Sequence, residues 1–243
     1  MAEKCLLMTS LAILVCHPSS TIRCFKPKPK DKGVSKSRKG YLVFNSCTNI
    51  CDSPRLNVHK PIKLLDEIVE GNPLKPIVED VFRFGWKRGV GYKIEKILKV
   101  NHCKKNCESL EECKKMATNS RSTRSLSKNK KAERVFYHGA MVTCSLGLDK
   151  SSTRICCMKT CGVCKIIGQI YGIHEKTNWI ESFSTSSWRA HRKVVKQFGD
   201  GVSKKAIIVS RVIECCKGEK YREINTLNPR AILPCFVIIY SLS

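Results

Sequence analysis

Near its C-terminus the chain reads Glu223-Ile-Asn-Thr-Leu-Asn-Pro-Arg-Ala-Ile-Leu-Pro-Cys-Phe-Val-Ile-Ile-Tyr240. This pattern predicts a short strand headed by a carboxylate, a turn set by Pro229, and a final strand that is almost entirely apolar. A strand that is apolar on both faces is normally buried on both faces. The final strand is therefore expected inside a hydrophobic core, with Glu223 at its entrance.

Length and charge limit the classes of protein that fit. The 243 residues suit one domain with an extension, or two small domains, and the hydrophobic fraction of 42% is sufficient for a core. Lys and Arg number 45 against 20 acids, a formal charge of +25. Such an excess attracts nucleic acid, an anionic membrane surface or a phosphate-rich ligand, although solvated tails and loops carry part of it.

The sixteen cysteines bear on the compartment. They indicate disulfides in a secreted protein, and metal sites or free thiols in an intracellular one. Cys144, Cys215 and Cys235 lie in apolar runs, where a free cysteine packs as a small hydrophobe. This favours the nucleus or the cytoplasm. The alternative is secretion, because the apolar run 5–16 has signal-peptide length while being too short to span a bilayer.

The N-terminal part differs in composition from the rest. Residues 26–39 combine Pro, Gly and many Lys, and such a segment buries too little apolar surface to order itself. It has the composition of a nuclear localisation signal, a nucleic-acid-binding arm or a solvated linker. We therefore expect a basic, mostly disordered extension over residues 1–74 and a folded domain over 75–243. Residues 64–70 are predicted to form one or two helical turns.

Periodicity predicts the elements of that domain. Lys204–Glu214 is the strongest predicted strand because it is rich in β-branched residues. Further strands are predicted at Ile77–Trp86, Tyr92–Val100 and Arg134–Gly139, a helix at Cys107–Met116 and a polar loop at Trp179–His191.

One group of cysteines has metal-ligand spacing. Cys161 and Cys164 are separated by two residues, which allows both thiolates to reach one zinc ion. Cys157 or its neighbour Cys156 would be the third ligand, and His174 or a cysteine brought in by folding the fourth. The alternative is a reduced, apolar turn packed on the sheet.

Three motifs follow one another in an order known from a protein family. They are Tyr137-His138-Gly139, Thr185–His191, and Glu223 ahead of Asn228–Pro234. Together they resemble the catalytic domain of the poly(ADP-ribose) polymerases. The chain is more similar still to a set of plant proteins with a polymerase-like domain described as C2H2-zinc-finger-like. That similarity covers about residues 75–243 and rests on Ile94–Val100, Cys161–Cys164, Arg189–His191 and Asn228–Phe236.

The resemblance implies a fold and a reaction. The fold would be α+β, an ADP-ribosyltransferase-like split β-sandwich with short helices and a cleft between two mostly antiparallel sheets. The reaction would use NAD: nicotinamide leaves, and a single ADP-ribose passes to a protein acceptor. Nucleic acid would be a further partner through the basic segments, and no transmembrane span is expected.

The resemblance also implies roles for individual residues. Glu223 would stabilise the positive charge that develops on the ribose as the glycosidic bond breaks. His138 would bind the adenosine-side ribose, while Gly139 and Ser187 would contact the nicotinamide carboxamide. The family's stacking tyrosine is absent, so Phe183 or Trp179 would take its place.

The missing tyrosine leaves a second class of function open. The chain would then be a catalytically degenerate relative, or a non-enzymatic module that binds nucleic acid or protein and contains zinc. Stacking contributes about 1 kcal/mol beyond buried area, so its loss weakens NAD binding.

Overall fold

The computed structural model describes residues 64–122, 133–148, 153–158, 160–173, 181–199, 204–213, 223–226 and 228–243. The basic segment 26–39, the apolar run 5–16, His174 and Trp179 lie outside the described residues.

The described strands form one seven-stranded sheet of the order β1-β2-β7-β5-β3-β4-β6. Every neighbouring pair is antiparallel. The strands are β1 (Leu65–Glu67), β2 (Tyr92–Val100), β3 (Glu133–Val142), β4 (Glu181–Ser184), β5 (Lys204–Ile213), β6 (Glu223–Thr226) and β7 (Ile232–Leu242). The helices are α1 (Leu74–Phe84), α2 (Lys104–Ser122), α3 (Ser145–Leu148), α4 (Gly162–Ile170) and α5 (Ser187–Phe198).

The predicted α+β class and the antiparallel pairing are confirmed. The expected two sheets are, among the described strands, one continuous ladder. The pairing is shortest between β3 and β4, where the described pair is Tyr137 with Ser184. Strands β4 and β6 are therefore held to the rest of the sheet by few backbone hydrogen bonds.

Strand β7 occupies the centre of the sheet, as its apolar sequence predicts. It lies between β2 and β5, and residues 232–240 are all buried. The turn before it forms as expected around Pro229 in a short 3-10 helix, where the Asn228 side chain accepts a hydrogen bond from the Arg230 N–H at 3.0 Å. The predicted strands at Tyr92–Val100 and Lys204–Glu214 correspond to β2 and β5.

Two predictions near the start of the domain are wrong. Ile77–Trp86 belongs largely to helix α1, whose buried residues Val78, Val81 and Phe82 have the spacing of one helix face. Leu65–Glu67 is a strand, and Leu65 pairs with Val100. The folded unit therefore begins before residue 75.

Two predictions in the middle of the chain also need correction. The strand expected to end at Gly139 continues to Val142, because β3 pairs with β5 along its whole length. The loop expected at Trp179–His191 contains strand β4 and the first turns of helix α5. Helix Cys107–Met116 is confirmed within the longer α2.

Helices cover both faces of the sheet. On one face α1 and α5 pack with Tyr137, Ile207 and Tyr240. On the other face α4 packs with Phe136, Ile208 and Val237. We refer below to the α5 face and the α4 face of the sheet.

Candidate functional site

The N-terminus of α5 is attached to the end of α1. Ser186 caps the helix by accepting a hydrogen bond from the Arg189 N–H at 3.3 Å. The next residue, Ser187, is fully buried, and its hydroxyl donates to the carbonyl oxygen of Phe82 at 2.7 Å. The hydroxyl predicted to contact the nicotinamide carboxamide therefore links two helices.

Gly139 lies where α5 crosses β3. A Cβ atom at this position would be 2.3 Å from the Ala190 carbonyl oxygen and 2.5 Å from the Val194 Cγ2 atom. Only glycine allows the helix backbone to approach this closely. The backbone segment predicted to clamp nicotinamide is thus covered by a helix on the α5 face.

His138 and Phe183 lie on the opposite, α4 face. Their rings are in contact, with centroids 5.4 Å apart, and Phe183 is fully buried in the core that surrounds α4. His138 is half-buried and its Nδ1 lies 3.0 Å from the Ser182 carbonyl oxygen, so Nδ1–H is the donor. Burial lowers the pKa of His138 to about 4, and the imidazole is therefore neutral at physiological pH.

Glu223 begins strand β6, and its backbone position is set by register. Residue 223 pairs with Ser184, and Ser184 pairs with Tyr137. Residues directly opposite one another in an antiparallel ladder belong to the same face of the sheet. Position 223 is thus in line with Tyr137 rather than with His138, the next residue of β3. The Glu223 side chain lies outside the described residues.

The residues predicted for NAD are therefore divided between two faces. Gly139 and Ser187 contact α5 or α1 on one face, and His138 and Phe183 contact the α4 side on the other. The structure does not bring these four residues to one cleft. Each of them has instead a packing or hydrogen-bonding role inside the domain.

Two residues of the Arg189–His191 motif, Ala190 and His191, also serve packing. Ala190 faces Gly139, and His191 is buried with its Nδ1 atom 2.8 Å from the Tyr240 hydroxyl oxygen. The His191 ring lies 5.0 Å from that of Trp86 and 5.0 Å from that of Trp188, in an aromatic cluster between α5 and the sheet. The polar composition of this segment predicts a loop, and nothing in its sequence indicates the cluster.

The outer side of α5 is basic. Its sequence, SWRAHRKVVKQF, contains no acid, and the buried residues Ser187, Ala190, His191 and Val194 share one side of the helix. The other side carries Arg189, Arg192 and Lys196, and in the described ranges none of these three forms an ion pair. The Lys87 ammonium lies 5.8 Å from the centre of the adjacent Trp188 ring. We call Lys87, Arg189, Arg192 and Lys196 the α5 basic face.

Four cysteines converge on the α4 side. The sulfurs of Cys144, Cys156, Cys161 and Cys164 lie within 4.8 Å of one another, an arrangement that could hold a metal such as zinc. The predicted pair Cys161 and Cys164 is thus brought together. Of the two candidates for the third ligand, Cys156 belongs to this group and Cys157 does not. Cys144 joins from the end of β3, and no spacing signal in the sequence identified it.

The cysteines affect one another's ionisation. The contact with Cys144 lowers the pKa of the Cys161 thiol, while the contact with Cys161 raises the pKa of Cys144. Contacts with both of these thiols raise the pKa of Cys164. Ionisation of one sulfur therefore disfavours ionisation of the others, unless a cation compensates the charge.

Comparison with known proteins adds no assignment. No model of a known protein family matches the chain, and no curated protein matches it significantly. Among the described residues, no helix combines the length and apolar character that crossing a membrane requires.

The Gly139 contact is testable by substitution. Gly139→Ala should lower the free energy of unfolding by about 3 kcal/mol or more, because the new methyl group meets helix backbone that cannot rotate away. Gly89→Ala is the control: its φ is +78° and no atom lies within 4 Å of the added Cβ, so it should cost only about 1–2 kcal/mol of backbone strain. Denaturant unfolding measures both. Equal losses in the two variants would contradict close packing at Gly139.

The low pKa of His138 predicts an effect of pH on stability. Between pH 6.5 and about 4 the unfolded chain binds a proton that the folded state excludes, so the free energy of unfolding should fall as the pH falls through this window. His138→Asn keeps a donor near the Ser182 carbonyl but cannot titrate. Its stability should change less with pH than that of the wild type, by up to about 1.4 kcal/mol per pH unit. If the free energy of unfolding, measured in urea, falls equally steeply with pH in both proteins, His138 does not cause the pH dependence.

Proposed function

We propose that this chain is a non-enzymatic relative of the ADP-ribosyltransferase fold that binds nucleic acid through the α5 basic face. The proposal of a fold relationship rests on the motif order and on the antiparallel α+β sheet. The proposal of a binding role rests on one observation above all. Helix α5 covers Gly139 and buries Ser187, two of the residues predicted for NAD, while the charged side chains that it presents to solvent are all cationic.

The burial pattern of α5 favours a polyanion over a lipid bilayer as the partner. A membrane-surface helix inserts its apolar side among the lipids. The apolar side of α5, with Ala190 and Val194, is already packed on the sheet. The helix therefore offers charge for contact, and the repeating phosphates of nucleic acid are the complementary surface.

The geometry of the face suits a phosphate backbone. Arg189, Arg192 and Lys196 follow one another at intervals of one helical turn, so their Cα atoms span about 10 Å along the axis. Arg189 and Arg192 offer planar, multidentate donors for phosphate oxygens. Such contacts position a protein on nucleic acid without reading its sequence. We therefore expect binding that is strongly salt-dependent and weakly sequence-specific.

The binding proposal predicts the effect of removing charge from α5. A triple variant, Arg189→Gln, Arg192→Gln and Lys196→Gln, should bind a fluorescent DNA duplex at least about tenfold more weakly than the wild type. Because about 0.9 of a counterion is released per phosphate contact, the slope of log affinity against log salt should also decrease by about 2 to 3. Fluorescence anisotropy of the full chain, titrated at several salt concentrations, measures both quantities.

A matched control separates this face from net charge. Lys104→Gln, Lys105→Gln and Lys115→Gln remove the same charge from exposed positions of α2. This triple variant should keep nearly the wild-type affinity. Equal weakening by the two triple variants would contradict a role for α5. So would stronger binding to anionic lipid vesicles than to DNA under the same conditions.

The loss of NAD chemistry is tested separately. The full chain, incubated with radiolabelled NAD, should transfer no label to itself or to added protein, because Gly139 and Ser187 are covered and His138 lies on the other face. A protein boiled before the incubation supplies the background. Transfer above this background that disappears in Glu223→Gln would overturn the non-enzymatic assignment and restore Glu223 as the catalytic carboxylate.

A further inference from the structure

We infer that Cys144, Cys156, Cys161 and Cys164 form a structural zinc site that fixes helix α4 and the segment 153–158 to the end of strand β3. Cys144 follows β3, Cys156 belongs to segment 153–158, Cys161 is the N-cap residue of α4, and Cys164 lies in its first turn. The site goes beyond the proposed binding function and does not depend on it, since it lies on the other face of the sheet.

The spacing of the sulfurs fits the ion. In a tetrahedral site with Zn–S bonds of about 2.3 Å, two sulfurs are about 3.8 Å apart. The Sγ atoms of Cys144 and Cys164 are 3.7 Å apart, and those of Cys161 and Cys144 are 3.5 Å apart. The cysteines of the group are free, not joined in disulfides. Their sulfurs are thus too far apart for covalent pairing and close to the separation that a shared ion imposes.

The chemistry of the group selects the metal. Four sulfurs in one compact group favour zinc or an iron centre over calcium or magnesium, which require oxygen ligands. Cys144, Cys161 and Cys164 are buried and Cys156 is half-buried, so the four sulfurs leave no position open to substrate. A closed site of this kind is structural rather than catalytic. Each thiol that binds the ion releases its proton to solvent.

The position of the site explains what the ion would stabilise. Helix α4 covers the core with Val163, Ile166 and Ile167, and Gly162 at its start lies against β3. A Cβ atom at Gly162 would lie 3.2 Å from that of Ala140. An ion shared by Cys144 and Cys161 would hold the end of β3 against the start of α4 and close the chain between them into a loop.

Metal analysis of the full chain tests the site directly. The wild type, purified in a thiol reductant with zinc and then dialysed, should contain about one zinc and no iron per chain by mass spectrometry. Cobalt substituted for zinc should give the intense visible absorption of a tetrahedral thiolate site. Less than about a tenth of a zinc per folded chain, iron in place of zinc, or oxidised cysteine pairs within the group would overturn the inference.

Two neighbouring cysteines provide a matched pair of variants. Cys156→Ser should lower the zinc affinity at least about tenfold, whereas Cys157→Ser and the distant Cys235→Ser should keep the wild-type affinity. A competitive titration against a chromogenic chelator measures these affinities. If Cys157→Ser loses zinc and Cys156→Ser retains it, the assignment of the ligands is wrong.

A measurement on the unmodified chain covers the case in which Cys156→Ser does not fold. Removal of zinc by a chelator should lower the Tm of the wild type, and addition of zinc should restore it. An unchanged Tm together with a stoichiometric metal content would contradict the structural role. Because the Cys156→Ser variant retains the α5 basic face, its affinity for DNA should remain near that of the wild type.

Discussion

The close approach of helix α5 to strand β3 is the contact on which the arrangement of this domain depends. It exists because Gly139 has no side chain at the point where the Ala190 carbonyl oxygen meets the strand. Once the helix lies there, Ser187 is carried against the end of α1, and His191 enters the aromatic cluster with Trp86. The same contact determines which side of the helix faces solvent, and that side is basic.

This contact gives the His138-Gly139 motif a structural role that does not involve a nucleotide. A His-Gly pair followed at a distance by Ser-Trp-Arg-Ala-His is compatible with a nucleotide cleft. It is equally compatible with a helix that packs closely across a strand at a glycine. In this structure Gly139 and Ala190 complement each other sterically, while His138 points to the other face and contacts Phe183. The motif alone therefore does not decide between a nucleotide cleft and a packing role. Function has to be argued from the geometry of the site.

The parts of the fold that could be predicted are those in which composition alone determines burial. Strands β7 and β5 are apolar and β-branched on both faces, so no other placement satisfies them. The apolar residues in Ile77–Trp86 match both the strand period of 2 and the helix period of 3.6, so the sequence alone does not distinguish helix from strand. The burial of Val78, Val81 and Phe82 on one face of the segment identifies it as helix α1. Helix α5 was missed because Ser187 and His191, two of its buried residues, are polar.

The candidate sites divide in the same way. The Cys161–Cys164 spacing is visible because both ligands lie in one helical turn. Cys144 reaches them through the path of β3, and the choice of Cys156 over Cys157 depends on which sulfur segment 153–158 turns inward. Neither follows from spacing. The α5 basic face was hidden for a related reason, because Lys87 joins it from the loop after α1 through contact with the Trp188 ring.

Strand β3 connects the two sites physically. Gly139 receives α5 on one face, Ala140 lies against the start of α4 on the other, and Cys144 follows the end of the strand. Helix α5 packs directly on β3 at Gly139, so its position depends on how rigidly β3 is held by the rest of the sheet. An ion that ties Cys144 to α4 would restrain the same strand from the opposite face. The metal site and the basic face would then restrain opposite faces of one strand, without any direct contact between them.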